Sequence, residues 1–233
     1  TCARCPTGMQ LIPAGMFQMG ATDLTDLPVT SAAPVHGVQL SAFCLDATEV
    51  TVAAYASCPS VTCSTPRIDA GCNWGVGGRE QDPINCVNWS QARAYCQSRG
   101  GDLPTEAQWE YAARGMDGRL YPWGNDAPTY LQACWSRPGP CPVRSFPSSN
   151  SPFGIFDMAG NVWEWTLDYY ATYTGSASSY VLNPTNPFSG ALRVLRGGSS
   201  QYSPRELRSS YRYTSSATSS PTTFGFRCAR GAM

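Results

Sequence analysis

Residues 151–166 read SPFGIFDMAGNVWEWT, a stretch that combines glycines with closely spaced aromatic residues. Trp163 and Trp165 are expected to be core residues that fill two sides of an irregular segment. Glu164 stands between them and is therefore expected to be buried. Because a buried charge must be paired or hydrogen-bonded, Glu164 needs a partner within the fold.

The composition is that of a globular protein with few charges. The chain has 233 residues, of which 42% are hydrophobic and only 14% charged, and its 16 basic residues, all arginine, balance 16 acidic ones. Without a basic run, nucleic acid is not expected as a partner. No apolar run approaches the roughly 18 residues of a membrane span. No linker divides the chain, so we expect one domain.

Eleven cysteines and a single histidine, His36, limit the metal chemistry. A zinc site is disfavoured, because the only CxxC pair is Cys2 and Cys5 and one histidine cannot complete a typical site. Scattered cysteines at this density instead predict a disulfide-stapled protein of an oxidising compartment, secreted or at the cell surface.

Some of the disulfide pairs are suggested by proximity in sequence alone. These are Cys58–Cys63 and Cys72–Cys86. Because the number of cysteines is odd, one thiol is free or pairs outside the chain. Pairing stays open for Cys2, Cys5 and Cys44.

Helix signals are few and short. Thr51 and Ser90 each stand at a possible N-cap, and Thr105 begins a capping box that Gln108 completes, with Gly115 as the stop. Short alternating or apolar runs indicate strands, and residues 166–190 indicate a long ordered surface loop. The pattern predicts a loop-rich α+β fold with short antiparallel strands.

Nine sequence blocks occur in one order along the chain, and together they carry a family resemblance. They are GMFQMG (15–20), PVHGVQLSAFCLDATEVT (34–51), PINCVNWSQARAYC (83–96), GDLPTEAQWEYAARG (101–115), YPWGN (121–125), SPFGIFDMAGNVWEWT (151–166), RVLRGGS (193–199), LRSSYR (207–212) and GFRCAR (225–230). The chain resembles the formylglycine-generating enzyme family, or sulfatase-modifying-factor domain. The resemblance implies a variant of the C-type lectin fold in a single domain over 11–230, preceded by a cysteine-containing segment, 1–10.

The resemblance also implies one structural calcium ion. Its ligands would be Asp157, Gly160, Val162 and Glu164, and oxygen ligands from a loop suit calcium. The alternative, that Glu164 accepts backbone N–H bonds or pairs with an arginine, stays open. The family's other calcium site is expected to be lost, because its asparagine would fall near Ala133.

Two further disulfides follow once the resemblance is accepted. The family joins its helix cysteine to the final GFRC block, which here implies Cys96–Cys228. Cys134 and Cys141 flank the shortened loop of the lost calcium site, and we infer that a disulfide between them replaces the metal.

The metal ligands of the family's known chemistries are missing. Catalytic members bind copper(I) through two cysteines, three and eight residues beyond the serine of RGGS. Here that serine is Ser199, and the two positions hold Tyr202 and Leu207. Neither can replace a thiolate, the soft ligand that copper(I) requires. Iron-dependent relatives need a histidine triad, so neither copper nor iron is expected and no catalytic residue is assigned.

Serine, threonine and tyrosine make up fourteen of the 22 residues from Ser199 to Ser220, a composition typical of a binding surface. Tyr202, Arg205, Tyr211 and Tyr213 are expected on or near one exposed face. An ordinary solvated loop is the alternative. The candidate ligand-binding residues are Tyr202, Arg205, Arg208, Tyr211 and Tyr213.

These features favour a secreted, non-catalytic module for ligand recognition or extracellular assembly. Its partner would be a protein, a glycan or other copies of the chain. Two alternatives stay open: an oxidoreductase with an unrecognised metal site, and an immunity or inhibitor protein that binds a protein effector.

Overall fold

The computed structural model describes residues 4–22, 32–185 and 189–232. Within them lie three small sheets and three short α-helices, so the expected loop-rich α+β architecture is confirmed. The strands are β1 (Met9–Ile12), β2 (Gly15–Met19), β3 (His36–Leu40), β4 (Phe43–Asp46), β5 (Trp163–Tyr169), β6 (Tyr180–Leu182), β7 (Arg193–Arg196), β8 (Tyr213–Ser215), β9 (Phe224–Gly225) and β10 (Ala229–Gly231). The helices are α1 (Val52–Ala56), α2 (Trp89–Ser98) and α3 (Glu106–Arg114), and a short 3₁₀ helix spans Pro147–Ser149.

Each sheet combines strands that are distant in sequence. The strand orders are β1-β4-β10, β2-β3-β6 and β8-β7-β5-β9. In the largest sheet β7 pairs antiparallel with β5 and with β8, and β9 runs parallel to β5. The 151–166 stretch therefore enters the sheet whose strand β7 leads into the RGGS turn.

The helices begin where side chains cap them. Thr105 accepts a bond from Gln108 N at 3.1 Å while Gln108 Oε1 accepts one from Thr105 N at 2.9 Å, so the predicted capping box is confirmed. The assignment of Ser90 as a cap is wrong. Asn88 caps α2 instead and forms its own capping box with Gln91, which places Ser90 inside the helix.

The tryptophans of 151–166 are core residues, but not on two sides of an irregular segment. Trp163 and Trp165 both lie in β5 and are fully buried in one hydrophobic cluster. Residues two apart in a strand point to the same face, which corrects the expectation. A second cluster packs around Trp109 of α3.

Five disulfides hold the loops. Four are those that the sequence analysis predicts, and the fifth joins Cys5 to Cys44. The predicted pairs are Cys58–Cys63, Cys72–Cys86, Cys96–Cys228 and Cys134–Cys141. Such bridges are typical of an oxidising compartment. No helix in the described part of the chain is long and apolar enough to span a membrane.

Candidate functional site

Two glycines make the tight turn at the end of β7. Gly197 and Gly198 have φ values of 96° and 77°, in the region that favours glycine. A Cβ atom on Gly198 would lie 2.9 Å from both the Glu206 carbonyl oxygen and Leu207 Cδ2. The turn therefore lets residues 199–207 fold back closely against it.

Arg196, the last residue of β7, holds the following loop from the interior. It is fully buried and donates to the carbonyl oxygens of Ser209, Ser210 and Tyr211 at 3.0, 3.0 and 2.7 Å. Its Nη2 also donates to the carboxylate of Glu110 on α3. Three consecutive carbonyl groups thus share one anchored guanidinium.

Glu110 is fully buried and joins this anchor to a second arginine and a distant loop. It accepts bonds from Arg114 Nη1 at 2.9 Å and from Gly20 N at 2.8 Å. Burial raises the pKa of Glu110, but the charges of Arg196 and Arg114 outweigh that effect and hold it below its ordinary value. Glu110 therefore stays ionised near neutral pH.

Arg212 forms a second anchor, at the start of β8. Its Nε and Nη2 donate to the two oxygens of Glu106 at 2.6 and 2.8 Å, and both side chains are buried. The Tyr173 hydroxyl donates to the same carboxylate at 3.0 Å. The 199–212 loop is consequently tied to α3 at both of its ends.

At the two positions where catalytic members of the family carry copper-binding cysteines, this chain has an aromatic and an aliphatic side chain. Tyr202 is half-buried and meets the Trp163 ring edge-on, with centroids 5.3 Å apart. Leu207 is fully buried in a small apolar cluster with Tyr121, Ala133 and neighbours. All ten cysteines of the described residues are in disulfides, and Cys2 lies outside them.

The candidate ligand residues do not all reach the surface. Arg205 is exposed, with 43% of its side-chain area accessible, and Tyr202 and Tyr213 are half-buried. Arg208 and Tyr211 are buried, which corrects the expectation for Tyr211 and removes Arg208 from an open surface. Tyr211 is drawn inward because Arg196 holds its carbonyl group and its ring packs 5.8 Å from that of Trp163.

Arg208 has a different environment from Tyr202 and Arg205. It lines a cavity of about 290 Å³ together with Arg114, Leu120 and residues of the 18–22 segment. The backbone beside it is fixed, because Ser209 N donates to the Leu120 carbonyl at 2.8 Å.

We call the surface formed by Tyr202, Ser203, Arg205 and Tyr213 the loop face. The Cys134–Cys141 loop borders it, which the sequence did not reveal. Arg137 N donates to the Ser200 carbonyl at 2.7 Å, and Gln201 Nε2 donates to the Pro138 carbonyl at 3.0 Å.

Glu164 has the arginine partner that the sequence left open. Arg227 Nε and Nη2 donate to its two oxygens, each at 2.7 Å, and Trp109 Nε1 adds a third bond at 2.8 Å. Asp157, also expected to bind calcium, accepts a bond from Arg144 N at 2.7 Å. A metal ion is therefore not needed to explain the burial of Glu164.

A cation nevertheless fits the charge of this region. Glu49 is 1% exposed and neither of its carboxylate oxygens accepts a hydrogen bond. Burial, and then the charge of Asp157, raise the pKa of Glu49 well above its ordinary value. Calcium, with Asp157, Gly160, Val162 and Glu164 as ligands, stays a prediction.

Comparison with known proteins identifies the family of this chain. The model of the sulfatase-modifying factor enzyme 1-like domain matches residues 2–232. The chain belongs to this family. Among curated members, the formylglycine-generating enzyme of Streptomyces coelicolor is 32% identical, over 98% of this chain and 91% of the relative. Inactive C-alpha-formylglycine-generating enzyme 2 of Bos taurus is 34% identical, over 71% of this chain and 56% of the relative.

Two solved structures share the overall fold of this sulfatase-modifying-factor-like chain. Treponema denticola variable protein 1 superposes with a TM-score of 0.76 and 23% identity, covering 99% of both chains. PvdO from Pseudomonas aeruginosa gives a TM-score of 0.77 and 24% identity, covering 96% of this chain and 94% of its own.

Proposed function

We propose that this family member is non-catalytic and recognises an extracellular ligand through the loop face. The observation that carries the proposal is Tyr202, which stands at the first copper-ligand position and packs on Trp163. The second position, Leu207, is apolar and fully buried. Copper(I) chemistry needs two thiolates there, and neither side chain supplies one.

The loop face has the properties of a preorganised binding surface. Its backbone is anchored by Arg196 and Arg212, so little ordering entropy is lost when a ligand binds. Tyr202, Tyr213 and Arg205 are of the residue types that carry most binding energy in interfaces. Serine hydroxyls beside them add adaptable hydrogen bonds.

The proposed partner is a protein or a glycan, or another copy of the chain in an extracellular assembly. The partly accessible tyrosines and the exposed Arg205 offer contacts to such ligands. Five disulfides support secretion or display at the cell surface. An inactive relative of Bos taurus is consistent with a role other than catalysis.

A double variant tests the proposal. Tyr202→Ala with Arg205→Ala should keep the fold yet lose binding on a glycan array and on secreted-protein arrays, or lose self-association in sedimentation. Tyr180→Ala with Arg67→Ala removes the same residue types at exposed positions elsewhere and should behave like the wild type.

Two results would count against the proposal. One is equal binding and assembly by both double variants. The other is stoichiometric copper or iron in the purified wild type together with oxidation of a cysteine-containing peptide, which would favour the oxidoreductase alternative.

A further inference from the structure

A pocket opens between helix α1 and the loop that follows the Cys72–Cys86 disulfide's first cysteine. It has a volume of about 380 Å³, and it is lined by Val52, Ala56, residues 74–77 and Glu80. We call it the α1 pocket. None of its residues belongs to the loop face or to the predicted calcium segment.

The walls of the α1 pocket are held by backbone contacts and a disulfide. At the first turn of the helix, Val52 N donates to the Asp82 carbonyl at 2.9 Å. Ala53 N donates to the Glu80 carbonyl at 3.0 Å, and Cys72–Cys86 joins the two sides of the loop. The pocket is therefore formed without a ligand, as binding pockets usually are.

Most of the lining is apolar. Trp74 is half-buried, and the Tyr55 ring meets it edge-on with centroids 5.7 Å apart, which holds the indole in place. Val76 is 47% exposed and adds open apolar surface. Gly75 and Gly77 carry no side chains that would fill the space. An exposed indole beside aliphatic groups is thus available to a ligand.

Glu80 is the one charged residue of this lining, and no neighbouring cation compensates its charge. It is exposed, accepts a hydrogen bond from Gly78 N at 3.2 Å, and forms no ion pair with any described residue. The adjacent Arg79 is used elsewhere, because its Nη1 donates to Asp82 Oδ2 at 2.8 Å and to Asn73 Oδ1 at 3.2 Å. The pocket therefore combines an indole ring, aliphatic walls and one negative charge.

We propose that the α1 pocket binds the quaternary ammonium group of a small molecule, which Trp74 and Glu80 recognise. A cation over an indole ring is attracted by the quadrupole of the ring, and the Glu80 carboxylate adds a complementary charge. A primary ammonium group carries three N–H donors that need acceptors, and the side chains of the lining offer one acceptor group, that carboxylate. A quaternary group has no such donors and gains from apolar contact instead.

NMR titration of isotope-labelled, disulfide-intact protein with choline chloride tests the proposal. Choline should shift the amide signals of Gly75, Val76 and Gly77, with a dissociation constant in the millimolar range, as expected of a ligand with so few atoms. The neutral analogue 3,3-dimethyl-1-butanol has carbon in place of the charged nitrogen. It should bind roughly tenfold more weakly, because it keeps the shape but loses the attraction to the ring and the carboxylate.

Two variants test the recognition residues. Trp74→Leu should weaken choline binding by roughly tenfold, because it removes the cation–π contact. Glu80→Gln should weaken it by about two- to fivefold, because the charge pair is exposed to solvent. The matched controls are Trp135→Leu, at another half-buried tryptophan, and Asp126→Asn, at another exposed acid. Both controls should bind choline like the wild type.

The outcomes are distinct. Unshifted amides in choline, or equal binding of choline and its neutral analogue, overturns the proposal. Equal or tighter binding of Nα-acetyl-lysine amide also overturns it, and would assign the pocket to a lysine side chain of a protein partner. Because Trp74→Leu could fail to fold, the comparison of the two ligands on the wild type and Glu80→Gln gives an independent test. Glu80→Gln should leave loop-face binding unchanged, so the two proposals fail separately.

Discussion

Arg227 faces Glu164 with two nitrogen atoms, each 2.7 Å from a carboxylate oxygen, and neither side chain reaches solvent. The pair joins the final GFRCAR block to the GNVWEW block. It thus connects β5 to the chain segment that also carries Cys228. The partner that Glu164 needs is supplied from a point 63 residues further along the chain.

Glu164→Gln should destabilise the protein by about 3–5 kcal/mol, because it leaves the buried Arg227 without its charge partner. Urea unfolding with intact disulfides measures the loss. Most of the loss should persist in chelator, since the Arg227 pair does not depend on a metal ion; if calcium binds with Glu164 as a ligand, as predicted, calcium-containing buffer should add a further loss. A variant that loses stability only in calcium-containing buffer would show instead that Glu164 acts through the metal.

The loss of stability at acid pH should depend on Glu110. Because its folded-state pKa lies below the ordinary value of 4.5, the ionised group adds stability above that pH. The contribution is lost as the pH falls through the lower, folded-state pKa. Glu110→Gln should therefore be less stable than the wild type at pH 7, and the difference should shrink below about pH 4.5.

Unfolding free energies of both proteins across pH 3–7 check this. The comparison isolates Glu110, because the other acids titrate in both proteins. A difference that stays constant over the whole range, or grows at low pH, contradicts the assignment.

The disulfides should differ in their effect on stability. Cys96–Cys228 spans a separation of 132 residues and Cys58–Cys63 only 5. In the chain-entropy account, a disulfide that closes a longer loop removes more conformational entropy from the unfolded chain. Removing Cys96–Cys228 should therefore lower the free energy of unfolding by about 5 kcal/mol, and removing Cys58–Cys63 by about 2 kcal/mol. Urea unfolding of the two double Cys→Ser variants measures these two losses. Equal losses, or a larger loss for Cys58–Cys63, would contradict the prediction.

Local features of the fold could be predicted from residue patterns, whereas the long-range Cys96–Cys228 pair was predictable only through the family resemblance. The Thr105 capping box was predictable because its partner Gln108 is three residues away. Asn88 was missed although its partner Gln91 is equally near, because Ser90 looked like the stronger start. The burial of Tyr211 depends on Arg196, fifteen residues earlier, and no local pattern carries that contact.

The candidate site shows the same limit. The replacement of thiolates by Tyr202 and Leu207 follows from counting residues after Ser199. The burial of Glu49 without a hydrogen-bond donor does not, because it depends on how segments distant in sequence pack together. Only the fold shows that Glu49 has no donor while Glu164 has three.

The loop face should depend on glycine at 198. Gly198→Ala places a residue with a Cβ atom at φ 77°, which costs about 1–2 kcal/mol. The new Cβ would also lie 2.9 Å from the Glu206 carbonyl oxygen and from Leu207 Cδ2. We therefore expect a total loss of about 2–4 kcal/mol, together with displacement of the loop that carries Tyr202 and Arg205.

Gly77→Ala is the matched control for this prediction. Gly77 is exposed, has no positive φ, and a Cβ atom there would meet nothing within 4 Å. The control should stay within about 0.5 kcal/mol of the wild type in urea unfolding and should keep any binding by the loop face. If Gly198→Ala proves as harmless as Gly77→Ala, the turn does not hold the loop as tightly as its contacts imply. The anchors at Arg196 and Arg212 would then be sufficient to position the loop face on their own.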